Sequence, residues 1–342
     1  DVVEVASLEE LATLGEKVKG RIVIFQHDMK VSSDYGRASR LRMRGPDAAA
    51  RQGAVAALVR SASTASFRLP HTGATVFQSG TAPIPAAALA TEDAALLHRL
   101  LAARPVRVRL VLGCRTAEPP LAPSANVIAE IRGAERPDEV VVVGAHLDAW
   151  DLGTGAIDDG AGVAMVMDTM RILARMPRPP RRTIRAVLFM NEELGQEGAV
   201  AYHEASLADG TRHVAAMEAD SGAGRPTGVR ATTGPGGLDR VRAMAAPLAP
   251  LGASSVREGG DGTDISPLAW AGVPFVGIAQ ETSRYFDWHH SAADTLDKVD
   301  PRELAEATAA FAWMAWSLAD AAEPLPRQPV PTEAPWWKRA AP

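Results

Sequence analysis

The stretch Thr183-Ile-Arg-Ala-Val-Leu-Phe-Met-Asn-Glu-Glu-Leu-Gly195 sets an apolar β-type run against two carboxylates and then a glycine. A Glu-Glu pair is usually a solvated helix face, but here Glu192 and Glu193 stand at the end of a strand. Two other runs end in the same way. Val140-Val-Val-Val-Gly-Ala leads to His146 with Asp148 two residues on, and His213-Val-Ala-Ala-Met-Glu-Ala leads to Asp220. In an open α/β sheet, ligands bind in the crevice beyond the carboxyl ends of the strands. Side chains delivered there by separate strands can converge on one point.

Two further segments join this set. Asp158-Asp159-Gly160 follows the flexible Gly153-Thr-Gly155, which allows a carboxylate to be aimed, and His290 precedes the turn residues Ser291-Ala-Ala-Asp294-Thr295. Two imidazoles and three carboxylates form a mixed nitrogen and oxygen set that suits a pair of zinc ions sharing one carboxylate. His146 and Asp148 lie on one face of their strand end, so one reads as a ligand and the other as its orienter. Neighbours on an extended chain point in opposed directions, so only one of Glu192 and Glu193 readily binds a given metal. The other is free to take a proton from a water that metal brings to a pKa of about 7. Each residue alone has a plainer reading as a cap, turn or surface pair; the weight lies in the combination at strand ends. His27, His98, His203 and His213 lack such company and read as structural.

Length and composition agree with an enzyme of two domains. The chain has 342 residues, 46% of them hydrophobic, enough for sizeable cores, and no apolar run approaches the length a bilayer crossing needs. Its 36 basic and 41 acidic residues are well mixed, which gives no electrostatic case for nucleic acid. Cys114 is alone, so no internal disulfide forms. The chain opens on Asp1-Val-Val-Glu without a charged-then-apolar leader. The expectation is an exported protein, periplasmic or secreted, whose signal lies outside this sequence, with a cytoplasmic location as the alternative.

Strands and helices alternate along the chain, which predicts an α/β fold with a mixed, mostly parallel sheet flanked by helices. Residues 1–118 read as a smaller α/β unit. It has a helix from Ser7 to Lys19, strands at 21–25, 54–59 and 84–90, a helical stretch at 45–51, a helix capped by Thr91, and a period-two strand at 107–112. Pro70-His71-Thr72-Gly73 reads as a turn, with contact to substrate as the alternative. A Pro-rich seam, Glu118 to Pro123, separates this unit from a catalytic domain at 119–323. That domain has strands at 126–131, 139–143, before Glu192, before Asp220 and at 273–279, and helices at 160–176, 196–206 and 301–321. Residues 324–342 read as an extended tail rather than core.

At this point the chain resembles the co-catalytic zinc exopeptidases of metallopeptidase family twenty-eight. The motifs that carry the resemblance are His146-Leu-Asp148, Gly155-Ala-Ile-Asp158-Asp159-Gly160, Asn191-Glu192-Glu193-Leu-Gly195, Glu218-Ala-Asp220-Ser and His289-His290-Ser-Ala-Ala-Asp294-Thr295. It extends over nearly the whole chain and implies a zinc exopeptidase fold, with the first third as a protease-associated insert domain. It implies two Zn2+ per chain, one held by His146 and Asp220, the other by Glu193 and His290, with Asp158 bridging. Glu192 would be the general base and acid, Asp148 would orient His146, and His289 would stand where some relatives have a Tyr that polarises the scissile carbonyl. A cis peptide bond between Asp158 and Asp159 is also implied. The implied partners are short peptides with free termini, with no nucleic acid and no membrane, and a homodimer is left open. The alternatives are a broad aminopeptidase on the same site, a non-catalytic binding homologue and a single-zinc glutaminyl cyclase.

Overall fold

The structure is a computed structural model that describes residues 1–113, 122–260 and 262–338. Its larger sheet has seven strands: β5 (Val127–Ile131), β6 (Arg136–His146), β7 (Arg182–Phe189), β8 (Arg212–Glu218), β9 (Pro226–Thr232), β10 (Val256–Glu258) and β11 (Phe275–Gln280), in the order β10-β9-β11-β8-β6-β7-β5. The pairs β6–β7, β6–β8, β8–β11 and β9–β10 are parallel, and β5–β7 and β9–β11 are antiparallel. The sheet is therefore mixed and mostly parallel. Strand β6 is buried on both faces, as its continuous valine run dictates. Val141, Val143 and Ala145 pack with α4 (Ala161–Leu173) and α8 (Pro301–Asp320), whereas Val140 and Val142 face the side of α5 (Glu197–Ala208), among Phe189, Tyr202 and Leu268. Between them, Gly144 must be glycine, because a Cβ there would lie 2.6 Å from the Phe189 ring. Helix α8 starts where Asp300 accepts from the N–H groups of Arg302 and Glu303 behind Pro301. At its other end the fully buried Arg182 donates to the Ala321 and Ala322 carbonyls and pairs with Glu139 at 2.6 Å. The three strands predicted to carry the site are neighbours, β8-β6-β7. His146 lies opposite Phe189, and Gly144 lies opposite Glu218.

The first part of the chain forms a separate four-stranded parallel sheet, β1 (Val2–Val5), β2 (Ile22–Phe25), β3 (Ala56–Arg60) and β4 (Ala86–Leu89), with helices α1 (Leu8–Leu14), α2 (Tyr35–Arg51) and α3 (Thr91–Ala103). Its cores are distinct from those of the large sheet. The two units meet through a small apolar cluster of Met29, Ala38, Ala62 and Phe286, flanked by Tyr35 and Tyr285.

Several expectations need correction. The helix foreseen at 45–51 begins ten residues earlier, with Pro46 inside it. Pro46 frees the carbonyl of Arg42 four residues back, and the Thr75 hydroxyl donates to that carbonyl instead. Thr91 is the first helical residue rather than the cap, and its hydroxyl donates to Ala65 O. Residues 107–112 form no strand; Val108 and Leu110 do pack against the small core, so the alternation marked burial without a ladder. The tail is not a free arm. Leu325 and Gln328 are buried, the Gln328 N–H donates to Gly272 O, and Trp337 packs edge-on to Trp270 and His203. Strands β9 and β10 and helix α6 (Gly237–Ala245) fill a region the sequence reading left unassigned. Cys114, the boundary at 118/119 and the last four residues lie outside the described residues.

His213, read as structural, is buried at the start of β8, where the Tyr202 hydroxyl donates to its Nε2 at 2.8 Å and accepts from Arg185 at 3.3 Å. Burial, and then the charge of Arg185, push its pKa down from 6.5 to about 3. A folded pKa below the unfolded one means that its contribution to stability is complete above the unfolded value and is lost as pH falls toward the folded one. The slope is at most about 1.4 kcal/mol per pH unit. His213→Asn is expected to flatten the loss of urea-unfolding stability between pH 7 and pH 5 relative to the parent chain. Equal slopes for the two proteins would remove His213 from this role.

Candidate metal centre

The five predicted ligands meet at the carboxyl ends of β6, β7 and β8. His146 is the last residue of β6, and the Ala219 N–H donates to Gly144 O, carrying Asp220 level with it. His146 Nε2 lies 3.1 Å from Asp158 Oδ1 and 3.8 Å from Asp220 Oδ1. His290 Nε2 lies 3.3 Å from Asp158 Oδ2 and 3.0 Å from Glu193 Oε2. The two oxygens of Asp158 thus face two different imidazoles. The Asp158–Asp159 peptide bond is cis, as the resemblance implied. Asp159 also lies close enough to His146 and Asp220 to count as a donor. Its oxygens are committed elsewhere, however: Oδ2 accepts from His146 N and Oδ1 from Gly162 N, at the start of α4.

The position of Asp148 differs from its expected role. Its backbone carbonyl, not its carboxylate, accepts from His146 Nδ1 at 2.8 Å. The carboxylate accepts from Glu192 N at 3.0 Å and Glu193 N at 3.2 Å, and so holds the turn that separates the two glutamates. Its nearer oxygen is 3.8 Å from His146 Nδ1. Two positioning residues escaped the sequence reading. The Trp150 indole donates to Glu193 Oε2 at 2.6 Å, and Asp294 accepts from the N–H groups of Ile157 and Asp158 at 2.6 and 3.1 Å. Asp294 stood inside a quoted motif and Trp150 two residues beyond another, but nothing in their spacing marks them as partners of residues far along the chain.

Carboxylates outnumber imidazoles here: Asp158, Asp159, Glu192, Glu193, Glu218, Asp220 and Asp264 surround His146, His289 and His290. Burial, reinforced by Asp220, raises Glu192 to about 8 and Glu218 to about 7; burial and Glu218 raise Asp264 to about 10. Burial alone would lower His146 and His290, but the adjoining carboxylates outweigh it and raise both, His290 to about 9. His289, stacked on His290 at 3.6 Å, is held well below its ordinary value by burial and by His290. Glu193 Oε1 is buried with no hydrogen-bond partner. A buried acceptor without a donor is costly, and so is uncompensated like charge; cations between the two imidazole poles relieve both. The donor set therefore fits metal.

A cavity of about 430 Å³ opens onto this cluster, lined by Asp158, Glu192, Glu193, Asp220, His289 and His290 on one side. The small unit supplies Tyr35 and Arg42 to the other wall, whereas His71 and Thr72 of the loop that the sequence offered for substrate contact do not line it. Tyr35 OH is 3.5 Å from His289 Nε2 and accepts from Arg42 Nη2 at 3.3 Å.

Fold and donor set together are those of a metallopeptidase. Residues 126–315 match the profile described as Peptidase family M28, and the chain belongs to that family. It is 36% identical over 332 residues to the protein named Carboxypeptidase Q of Mus musculus, covering 96% of this chain and 69% of that one. The crystal structure of a Peptidase M28 precursor from Shewanella amazonensis SB2B is similar at a TM-score of 0.87 and 34% identity, covering 97% of this chain and 76% of the other. BSAP, described as a zinc aminopeptidase from Bacillus subtilis, shares the fold at a TM-score of 0.59 and 18% identity, covering 92% and 74%. Among the described residues no helix is long and apolar enough to cross a membrane.

Asp148→Asn tests the turn. An amide keeps one acceptor but places N–H donors against Glu192 N or Glu193 N, so kcat is expected to fall about 10–100-fold, the range for groups that orient a metal site. A kcat within twofold of the parent enzyme would show that the two N–H bonds do not position the glutamates.

Proposed function

We propose that this metallopeptidase is a dinuclear zinc exopeptidase that hydrolyses short peptides with free termini, with Glu192 as general base and acid. The observation that carries the reading is the division of labour between adjacent glutamates. Glu193 faces His290 inside the donor web, whereas the Glu192 carboxylate lines the cavity with no hydrogen bond to a described residue. One ion would be held by His146 and Asp220 and the other by Glu193 and His290, with Asp158 between them. Bound there, zinc supplies Lewis acidity, polarising the scissile carbonyl and bringing a water to a pKa of about 7.

The chain's own residues do the rest. Glu192 takes the water's proton onto its carboxylate and returns it to the leaving amine nitrogen. His289, neutral and on the cavity wall, is assigned to the carbonyl oxygen, with the Tyr35 hydroxyl beside it as a second neutral donor. Arg42 supports a carboxylate-ended substrate over the aminopeptidase reading. Arg42 lines the cavity, so its cation would attract a free C-terminal carboxylate held there. The small unit, as a protease-associated domain, closes the cavity over a short peptide. We also assign the protein to an exported compartment.

Glu192→Gln is expected to lower kcat about 10²–10⁴-fold, the usual worth of a general base, with zinc content unchanged. Glu193→Gln is expected to lose zinc. Retention of most of kcat by the first variant would remove Glu192 from the base role. For Arg42, a dipeptide and its C-terminal amide are compared: the parent enzyme should prefer the free acid in kcat/KM, and Arg42→Met should abolish the preference. An enzyme that favours aminoacyl anilides and ignores the C-terminal charge is an aminopeptidase.

A further inference from the structure

We infer that loop 71–73 of the small unit is a built part of the metal centre: it sets the tautomer and ring position of His290, so that the Glu193–His290 metal position fills only while the loop is docked. The inference rests on the dinuclear reading above. Thr72 exchanges two hydrogen bonds with His290, its N–H donating to the His290 carbonyl at 2.8 Å and its carbonyl accepting from His290 Nδ1 at 3.1 Å. A carbonyl can only accept, so Nδ1 carries a proton toward Thr72, with Arg42 Nη1 also 3.4 Å from it, and it is Nε2, beside Glu193 and Asp158, that would give its lone pair to a bound ion. The orienting carbonyl comes from a residue 218 positions away, in the other unit.

The backbone of His290 needs such a clamp. Its φ is +59°, in the left-handed region, a conformation that persists in a non-glycine residue only where its surroundings over-determine it. The loop is itself tied from two sides of the small unit. Ser61, following β3, accepts from His71 N at 2.8 Å. Arg42 of α2 donates to Thr72 O at 3.1 Å and lies across Gly73, where φ is +153° and a Cβ would meet the guanidinium carbon at 2.1 Å. The His71 ring, buried and kept neutral by that burial, stands beside the backbone of His289, the residue stacked on His290. Neither His71 nor Thr72 lines the cavity. Their contacts bear on the histidine pair and not on the peptide.

The test uses the full chain loaded with zinc and dialysed against rising dipicolinate, with zinc per chain measured by mass spectrometry. Circular dichroism melts report the fold, and the absorption spectrum of cobalt-substituted protein reports the ligand field. His71→Leu is expected to release one ion at a chelator concentration about 10–100-fold lower than the parent chain, the range for a lost orienting contact. His71→Gln, which keeps an N–H donor, should restore most of the difference. Ser61→Ala, a milder change, should shift the same ion in the same direction, and it decides the matter if His71→Leu does not fold. Unchanged release midpoints and cobalt spectra in both His71→Leu and Ser61→Ala would overturn the inference. A parent chain that binds a single ion strikes instead at the dinuclear reading; the shift of that ion's midpoint still decides for or against the loop.

Discussion

The Asp158 carboxylate, buried between two imidazoles, is the constraint on which the remainder of the site depends. Its two oxygens are directed at His146 and His290, which come from opposite ends of the catalytic sequence. Its own backbone N–H is held by Asp294, and its neighbour Asp159 is held by the start of α4 and by His146 N. A carboxylate buried this deeply is stable only if its lone pairs are met. Hydrogen bonds from His146 and His290 overcome the penalty of burial and keep it ionised, well below the ordinary carboxylate range. Moving either imidazole would leave a buried charge uncompensated, so the two halves of the site are locked to one another through a single side chain.

That lock explains why two units are needed. Strand ends of the large sheet deliver His146, Glu193 and Asp220, and the sheet order β8-β6-β7 makes them neighbours without further help. His290 comes instead from a loop after a one-turn helix (Tyr285–Trp288), where no ladder fixes the backbone. It is held from outside by Thr72, and within the loop it stacks on its neighbour His289. The small unit also contributes Tyr35 and Arg42 to the cavity wall, so the space for substrate exists only between the two cores. A sheet alone would present these donors on a ridge open to water; the second unit walls one side and makes it a cavity.

Most of the fold was legible because its signals are local. The apolar run before Glu192, the valines before His146 and the Asp300-Pro301 start of α8 each declare an element from a few adjacent residues, and the structure places each within a few residues of its expected bounds. The errors share a different cause. Residues 107–112 carry strand periodicity but lack a full ladder partner, and Pro46 sits inside a helix because Thr75, thirty-three residues away from Arg42, takes up the freed carbonyl. The tail reads as Pro-rich and extended, yet it docks on Gly272 and Trp270. In the last two cases a contact distant in sequence overrode the local signal; in the first, no ladder formed to complete it.

The sequence by itself determined the residue types at the strand ends, and with them the donor set, because hydrophobic periodicity and the place of a polar residue after an apolar run are properties of a short window. Only the tertiary structure decided which atom of each residue does what. Asp148 orients His146 with its carbonyl and the Glu192–Glu193 turn with its carboxylate, Trp150 rather than a charged group holds Glu193, and Arg42, Tyr35 and Thr72 reach the site from another unit. Hydrogen-bond direction depends on distances of a few ångströms between residues that stand as much as 218 positions apart, and a one-dimensional pattern carries no record of that distance.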